Sequence, residues 1–317
     1  MIEARGLGKT FDDFMAVHDL DLQVEPGELL ALLGPNGAGK TTTVRMLGSI
    51  LKPTTGWAKI NGLDVVREAQ KVRYAIGMLT EQPGLYLRMS GLEYLLFYGR
   101  LYGLADSYTK QRGQELFQRF GMGDAFERRL GTYSKGMRQK AGLIRTMLHN
   151  PTILLLDEPT SAMDPQSAKL VRDAIMEMRS DKRAIILCTH NLAEAEALAD
   201  RIAIIKQGAI VAEGTTAVLK QQLLGQPQLE VQVDQSLNGQ ISELDDLVTV
   251  ELVQGNTIRY RTGQPAITNP QLVRCLTSLG LGVISLREIS QSLEDVYLRV
   301  VAEETNDDMT KDNETND

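Results

Sequence analysis

Gly34-Pro35-Asn36-Gly37-Ala38-Gly39-Lys40-Thr41, with Thr42 behind it, fits the pattern G-x-x-x-x-G-K-[ST]. It stands between the apolar run ELLALL (28–33) and the helical pattern TTTVRMLGSIL (41–51). Glycines at these positions let successive backbone N–H groups turn onto phosphate oxygens, and the start of the following helix adds a favourable dipole. Lys40 has the reach for β- and γ-phosphates, and the Thr41 hydroxyl is the expected ligand of a Mg²⁺ ion. An ordinary glycine-rich strand-to-helix turn is the alternative. The full pattern in its strand–helix context reads instead as a nucleoside triphosphate site.

Working outward, the loop lies in a chain of short apolar runs separated by helical patterns. AIGML (75–79), TILLLD (152–157) and AIILCTH (184–190) read as strands covered on both faces. Ser90 and Glu93 have capping-box spacing ahead of LEYLLFYGRLYG, Asp164-Pro165 offers an N-cap followed by a first-turn proline, and Asn191 and Glu194 are spaced to cap another helix. This alternation predicts an α/β fold with a largely parallel sheet over residues 1–222, a P-loop NTPase core. Within ILLLDE (153–158), Asp157 ends a buried strand and can share the Mg²⁺ shell of Thr41, while the adjacent Glu158 is the candidate base for the attacking water. That run alone decides little, since many strand ends look the same.

The pattern changes near Gln221–Pro227. LEVQVD, VTVELV and TIRYRT alternate like strands with one wet face, PQLVRCLTSLG reads as a helix, VISLREI as a strand and SLEDVYLRVV as a last helix. Residues 228–302 are therefore expected to form a small α+β domain, followed by a disordered acidic tail over 303–317. That tail carries seven acids and one lysine, −6 of the overall charge of −7, so the remainder is nearly neutral. No basic patch points to nucleic acid. Apolar and charged fractions of 43% and 24% are those of a globular chain with a buried core. Cys188 and Cys275 belong to no C-x-x-C unit, which argues against a disulfide framework or zinc site and fits a reducing compartment. The start, MIEARGLGKTF, has no signal-peptide pattern, and no apolar run is long enough to cross a bilayer; a soluble intracellular chain is expected.

The sequence resembles the ATP-binding subunits of ABC transporters over residues 1 to about 222. GPNGAGKTT matches the Walker A loop, Gln82 in LTEQPGLY the Q-loop, YSKGMRQ (133–139) the signature usually written LSGGQ, ILLLDE the Walker B strand, SAMD (161–164) the D-loop, and His190 the switch histidine. Phe11 sits where the family places an aromatic residue against adenine. The resemblance implies an ABC-type core with a helical subdomain at about 83–150, binding ATP and Mg²⁺. Gln82 would touch the metal and the attacking water, as a ligand beside Thr41 and Asp157. Ser134, Lys135 and Gly136, just before a helix expected to begin near Met137, would contact the γ-phosphate held on a partner subunit's Walker A loop, and Asp164 of the D-loop is also expected to bind nucleotide. His190 would hold the γ-phosphate and water with Glu158. Two positions depart from the pattern: Lys135 replaces the signature's first glycine and Met137 its glutamine.

The same resemblance implies an ATPase that closes as a homodimer, or with a second ATPase subunit, and drives a separate membrane-spanning permease. Such a chain would be cytoplasmic and peripheral on the inner face of the cell membrane. Ribosome-acting relatives carry two Walker A loops, and repair or chromosome relatives insert coiled coils or zinc modules; this chain does neither. The C-terminal module resembles that of the ABC-2 class, mostly exporters, whose cargo binds the permease. A regulatory or non-transport ABC ATPase is the alternative. Leu85, Tyr86, Leu87 and Met89, after Gln82, are a mixed set, part core and part surface for a membrane partner.

Overall fold

The computed structural model describes residues 1–161, 163–180, 182–236, 244, 247–289 and 292–299. Two compact units divide at Thr216/Ala217. The expected tail, 303–317, lies outside the described residues.

In the first unit the order is β1 (Ile2–Phe11), β2 (Phe14–Val24), β3 (Leu29–Leu33), α1 (Lys40–Leu47), β4 (Thr55–Ile60), β5 (Leu63–Asp64), α2 (Ala69–Ala75), β6 (Ile76–Leu79), α3 (Gly91–Leu101), α4 (Asp106–Arg119), α5 (Lys135–Met147), β7 (Ile153–Asp157), α6 (Pro165–Glu177), β8 (Ala184–Thr189), α7 (Leu192–Leu198), β9 (Arg201–Lys206) and β10 (Ala209–Gly214). Six of the strands form one sheet in the order β10-β9-β3-β8-β7-β6, parallel except for the edge strand β10. An antiparallel sheet, β2-β1-β4-β5, makes a second layer.

The apolar runs of β3, β7 and β8 are continuous because each strand is buried between two cores. Leu30, Leu32, Ile153, Leu155, Ile186 and Cys188 face a core shared with α1 and the antiparallel sheet. Their neighbours Leu29, Leu154, Leu156, Ile185 and Leu187 face the other core, built with α3 to α6. Period-two alternation of side chains thus meets protein on both sides, which is why the interior positions of these strands are apolar. Helix α1 is held between the sheets, which fixes the loop before it over the ends of β3 and β7. The capping box at Ser90 and Glu93 is present, and Asp164 and Asn191 cap α6 and α7 as expected.

The second unit contains α8 (Thr216–Leu224), β11 (Gln228–Val233), β12 (Thr249–Gln254), β13 (Thr257–Arg261), α9 (Pro265–Ser278) and β14 (Val283–Glu288), with residues 293–299 helical. Its antiparallel sheet runs β12-β13-β11-β14. Leu229, Val231, Val233, Ile258 and Tyr260 pack on Leu272 and Leu276 of α9. On the other face Glu230, in register with Arg259 and Arg287, accepts hydrogen bonds from both at 2.9 and 2.6 Å.

Three expectations shift. Helix α9 begins at Pro265, not near Pro270, because Thr268, Leu272 and Leu276 share one buried face that extends the helix backward. Helix α5 begins at Lys135 rather than near Met137, since Ser134 caps it. Helix α8 belongs with the second unit, so the division falls before residue 222.

Candidate functional site

The loop expected to cradle phosphate wraps the start of α1. Gly37 and Gly39 adopt left-handed φ values of 84° and 104°, where an L side chain is strained. At Gly39 a Cβ would also stand 2.7 Å from the Ala16 carbonyl, so the loop is fastened to β2 by backbone contact. Lys40, only 6% exposed, donates from Nζ to the carbonyls of Gly34 and Pro35 at 2.6 and 3.0 Å.

A cleft of about 500 Å³ opens over this loop. The whole segment Pro35–Thr42 lines it, together with Phe11, Phe14, Ala16, Glu81, Glu158, Ser161 and His190. Phe11 ends β1 directly opposite Phe14 across the hairpin; the two rings are 41% and 66% exposed. Lys9 Nζ lies 5.0 Å from the centre of the Phe11 ring.

At the far wall β7 and β8 deliver the acids and the histidine. Asp157 is 1% exposed and its Oδ1 accepts from Thr41 Oγ1 at 3.2 Å. Its Oδ2 is buried with no hydrogen-bond partner among the described residues. Burial pushes this carboxyl above its ordinary pKa, while the Thr41 bond pulls it down; Glu158 and Glu81 push it up further. Glu158 has a left-handed φ of 51°, a conformation a non-glycine residue holds only where its surroundings enforce it. Here the amide of Glu158 donates to the Cys188 carbonyl at 2.9 Å, pinning the turn to β8. Both carboxylate oxygens of Glu158 lie 2.9 Å from His190 Nδ1, and Oε1 is 3.9 Å from Lys40 Nζ.

These distances bring Lys40, Thr41, Asp157, Glu158 and His190 into one site. Other expected residues stand apart. Gln82 is exposed and outside the cleft, with its carbonyl accepting from Thr80 Oγ1 at 2.7 Å. The residue facing the cleft is its neighbour Glu81. Ser134, Lys135 and Gly136 form the start of α5 and do not line the cleft; Ser134 Oγ accepts from the Met137 amide at 3.2 Å. Asp164 is likewise outside it, accepting from the Ser167 amide at 2.9 Å as the cap of α6. Ser161, one turn earlier, lines the cleft instead. Phe14 and Glu81 were legible only as neighbours of motif residues, and Ser161 only as a member of the D-loop motif.

The ABC transporter family matches residues 17–161. The daunorubicin/doxorubicin resistance ATP-binding protein DrrA of Streptomyces peucetius is 36% identical over 320 residues, which cover 98% of this chain and 95% of that protein. The ABC transporter ATP-binding protein NatA of Bacillus subtilis (strain 168) is 41% identical over 63% of this chain and 81% of its own length. Among solved structures, the ATP-binding subunit of an ABC transporter superposes with a TM-score of 0.66 at 28% identity, over 71% of this chain and 94% of that one. A dimeric ATP-binding cassette in a post-hydrolysis state with ADP and Pi shares the fold, with a TM-score of 0.63 at 22% identity over 68% of this chain and 98% of that one. This chain belongs to the ABC transporter family. It is one of the family's ATP-binding, ATP-hydrolysing subunits. No helix among its described residues is long and apolar enough to cross a membrane.

Proposed function

We propose that this chain binds and hydrolyses ATP in the cleft over Pro35–Thr42 and couples the ATP-driven closure of its dimer to a separate membrane-spanning subunit of a drug exporter. The observation that carries the reading is the convergence of Lys40, Glu158 and His190 on one side of the phosphate loop. Adenine stacks on Phe11, the loop amides and Lys40 hold the phosphates, and a water attacks the γ-phosphorus. The bond to the β,γ-bridging oxygen breaks with its electron pair leaving on ADP, and Glu158 takes the proton of the water. His190 Nδ1, 2.9 Å from the Glu158 carboxylate, holds that carboxylate in place, and only a ring carrying protons on both nitrogens could donate to the γ-phosphate as well.

Mg²⁺ suits the residues present. A buried carboxylate oxygen with no donor among the described residues, beside a threonine hydroxyl, offers two oxygen ligands of the kind the ion takes. Bound there by Thr41 and Asp157, the ion would neutralise charge on the β- and γ-phosphates.

The start of α5, with Ser134 and Lys135 exposed, is free to meet phosphate on a second copy, which accounts for its distance from the chain's own cleft. A homodimer, or a pair with another ATPase subunit, would complete two sites. Tyr86 and Leu87 are both 48% exposed, Tyr86 standing edge-on to Phe97, while Leu85 and Met89 pack against the core. The exposed pair is the proposed contact with the membrane subunit, and the chain is proposed to sit on the cytoplasmic face of the membrane, as its family resemblance implies. The drug-exporter reading draws on the DrrA relatives, which span nearly the whole chain.

Glu158→Gln tests the mechanism. It keeps the shape and removes the base, so hydrolysis should fall roughly 10²–10⁴-fold with ATP affinity retained, and the variant should accumulate as an ATP-bound dimer. Phosphate release near the native rate would place the base elsewhere. An inactive variant that stays monomeric in saturating ATP would remove the homodimer from the reading.

A further inference from the structure

Glu194, on α7, is outside the cleft and only 2% exposed. Its two carboxylate oxygens are divided between two loops of the site. Oε1 accepts from Thr160 Oγ1 at 2.7 Å, two residues beyond Glu158. Oε2 accepts from Thr189 Oγ1 at 2.7 Å, immediately before His190. The Thr189 hydroxyl accepts in turn from the Asn191 amide at 3.0 Å, immediately after His190, and Asn191 Oδ1 accepts from the Glu194 amide at 3.1 Å. The backbone on both sides of His190 is therefore tied to one buried carboxylate, and the same carboxylate holds the loop that leaves Glu158.

A carboxylate buried this far is costly, and burial pushes the Glu194 pKa up while the two threonine bonds pull it down. Packing alone would be served by an apolar side chain at this position. What the carboxylate adds is geometry, since it can accept from two hydroxyls at once and so set the spacing between their loops.

We infer that Glu194 is a positioning residue for ATP hydrolysis, holding the Glu158 loop and the His190 loop in the register that lets the histidine meet the carboxylate. The inference rests on the assignment of Glu158 and His190 to the reaction. It predicts a specific failure: nucleotide binds normally, but the base and the histidine are no longer aligned. A displacement of about 1 Å at reacting groups lowers rates by on the order of 10²-fold.

Glu194→Ala in the full chain should therefore lower kcat about 10- to 100-fold, with the KM for ATP and the affinity for a fluorescent ATP analogue little changed. Glu194→Gln should recover most of the loss, because an amide can donate to one threonine and accept from the other. The chain has three histidines, His18, His149 and His190. Side-chain ¹⁵N NMR, with His190→Ala identifying the signal, reads the His190 ring directly. Glu194→Ala should move that signal and leave the other two in place. Unchanged kcat per folded molecule with an unmoved His190 signal overturns the inference. So does a loss of activity that only follows loss of folded protein. Should the alanine variant fail to fold, Thr160→Val removes one donor at constant shape and must still lower kcat; native kcat there, with an unmoved signal, overturns it equally. Glu158→Gln and His190→Ala run in parallel separate the levels. Native activity in those two refutes the underlying assignment, whereas their inactivity beside a fully active Glu194→Ala refutes only the role of Glu194.

Discussion

Replacing Phe11 by alanine should weaken ATP binding without slowing the chemistry. The ring closes the β1–β2 hairpin and is 41% exposed, with Lys9 Nζ 5.0 Å from its centre on one side. An adenine laid on the free face would remove roughly 40 Å² of ring and a similar area of base from water, which at about 25 cal/mol per Å² is about 2 kcal/mol. Partial cover from Phe14, which is 66% exposed beside it, takes over some of that contact once Phe11 is gone. The net loss is then about 1–2 kcal/mol, or about 5- to 30-fold in Kd. Calorimetric titration with ATP measures it, and kcat at saturating ATP should stay native because stacking holds ground and transition states alike. Phe11→Tyr and Phe11→Trp should bind like the native chain. Unchanged affinity in Phe11→Ala, with the loss appearing in Phe14→Ala instead, would move the base one strand over and refute the assignment.

Asp157→Asn removes a buried charge whose Oδ2 has no donor among the described residues. The variant should be as stable as the native chain without divalent metal, or more so by about 1 kcal/mol, and should lose the gain in ATP affinity that Mg²⁺ brings. Thermal melts with and without Mg²⁺ and ATP check both, and a clear loss of stability in metal-free buffer contradicts the argument. In the second unit, hydrogen bonds from Arg287 and Arg259 hold the Glu230 carboxyl below its ordinary pKa. A depressed folded value stabilises above the unfolded one and is lost as pH falls through the folded value. Glu230→Gln should therefore be less stable than the native chain near neutrality, with the gap closing below about pH 4. Denaturant titrations at two pH values measure it, and a gap independent of pH would show that charge is not its source.

What the sequence determined alone was whatever depends on local backbone geometry. The phosphate loop is legible because Gly37 and Gly39 must take left-handed φ and Lys40-Thr41 must follow them directly. Strands β3, β7 and β8 are legible as unbroken apolar runs because two cores bury both their faces. The antiparallel layer was not, since β1, β2 and β4 mix buried and exposed residues and their register is broken by bulges. Tertiary structure alone set which residues line the cleft. Gln82 matches the motif, yet its neighbour Glu81 is the one that lines the cleft. It also supplied Glu194, whose two partners lie 34 and 5 residues away along the chain. In sequence Glu194 reads as a helix-capping acid. Only the closing of α7 over two loops buries it and gives both carboxylate oxygens a donor, because a buried charge is tolerated where folding brings hydrogen bonds to it from distant segments.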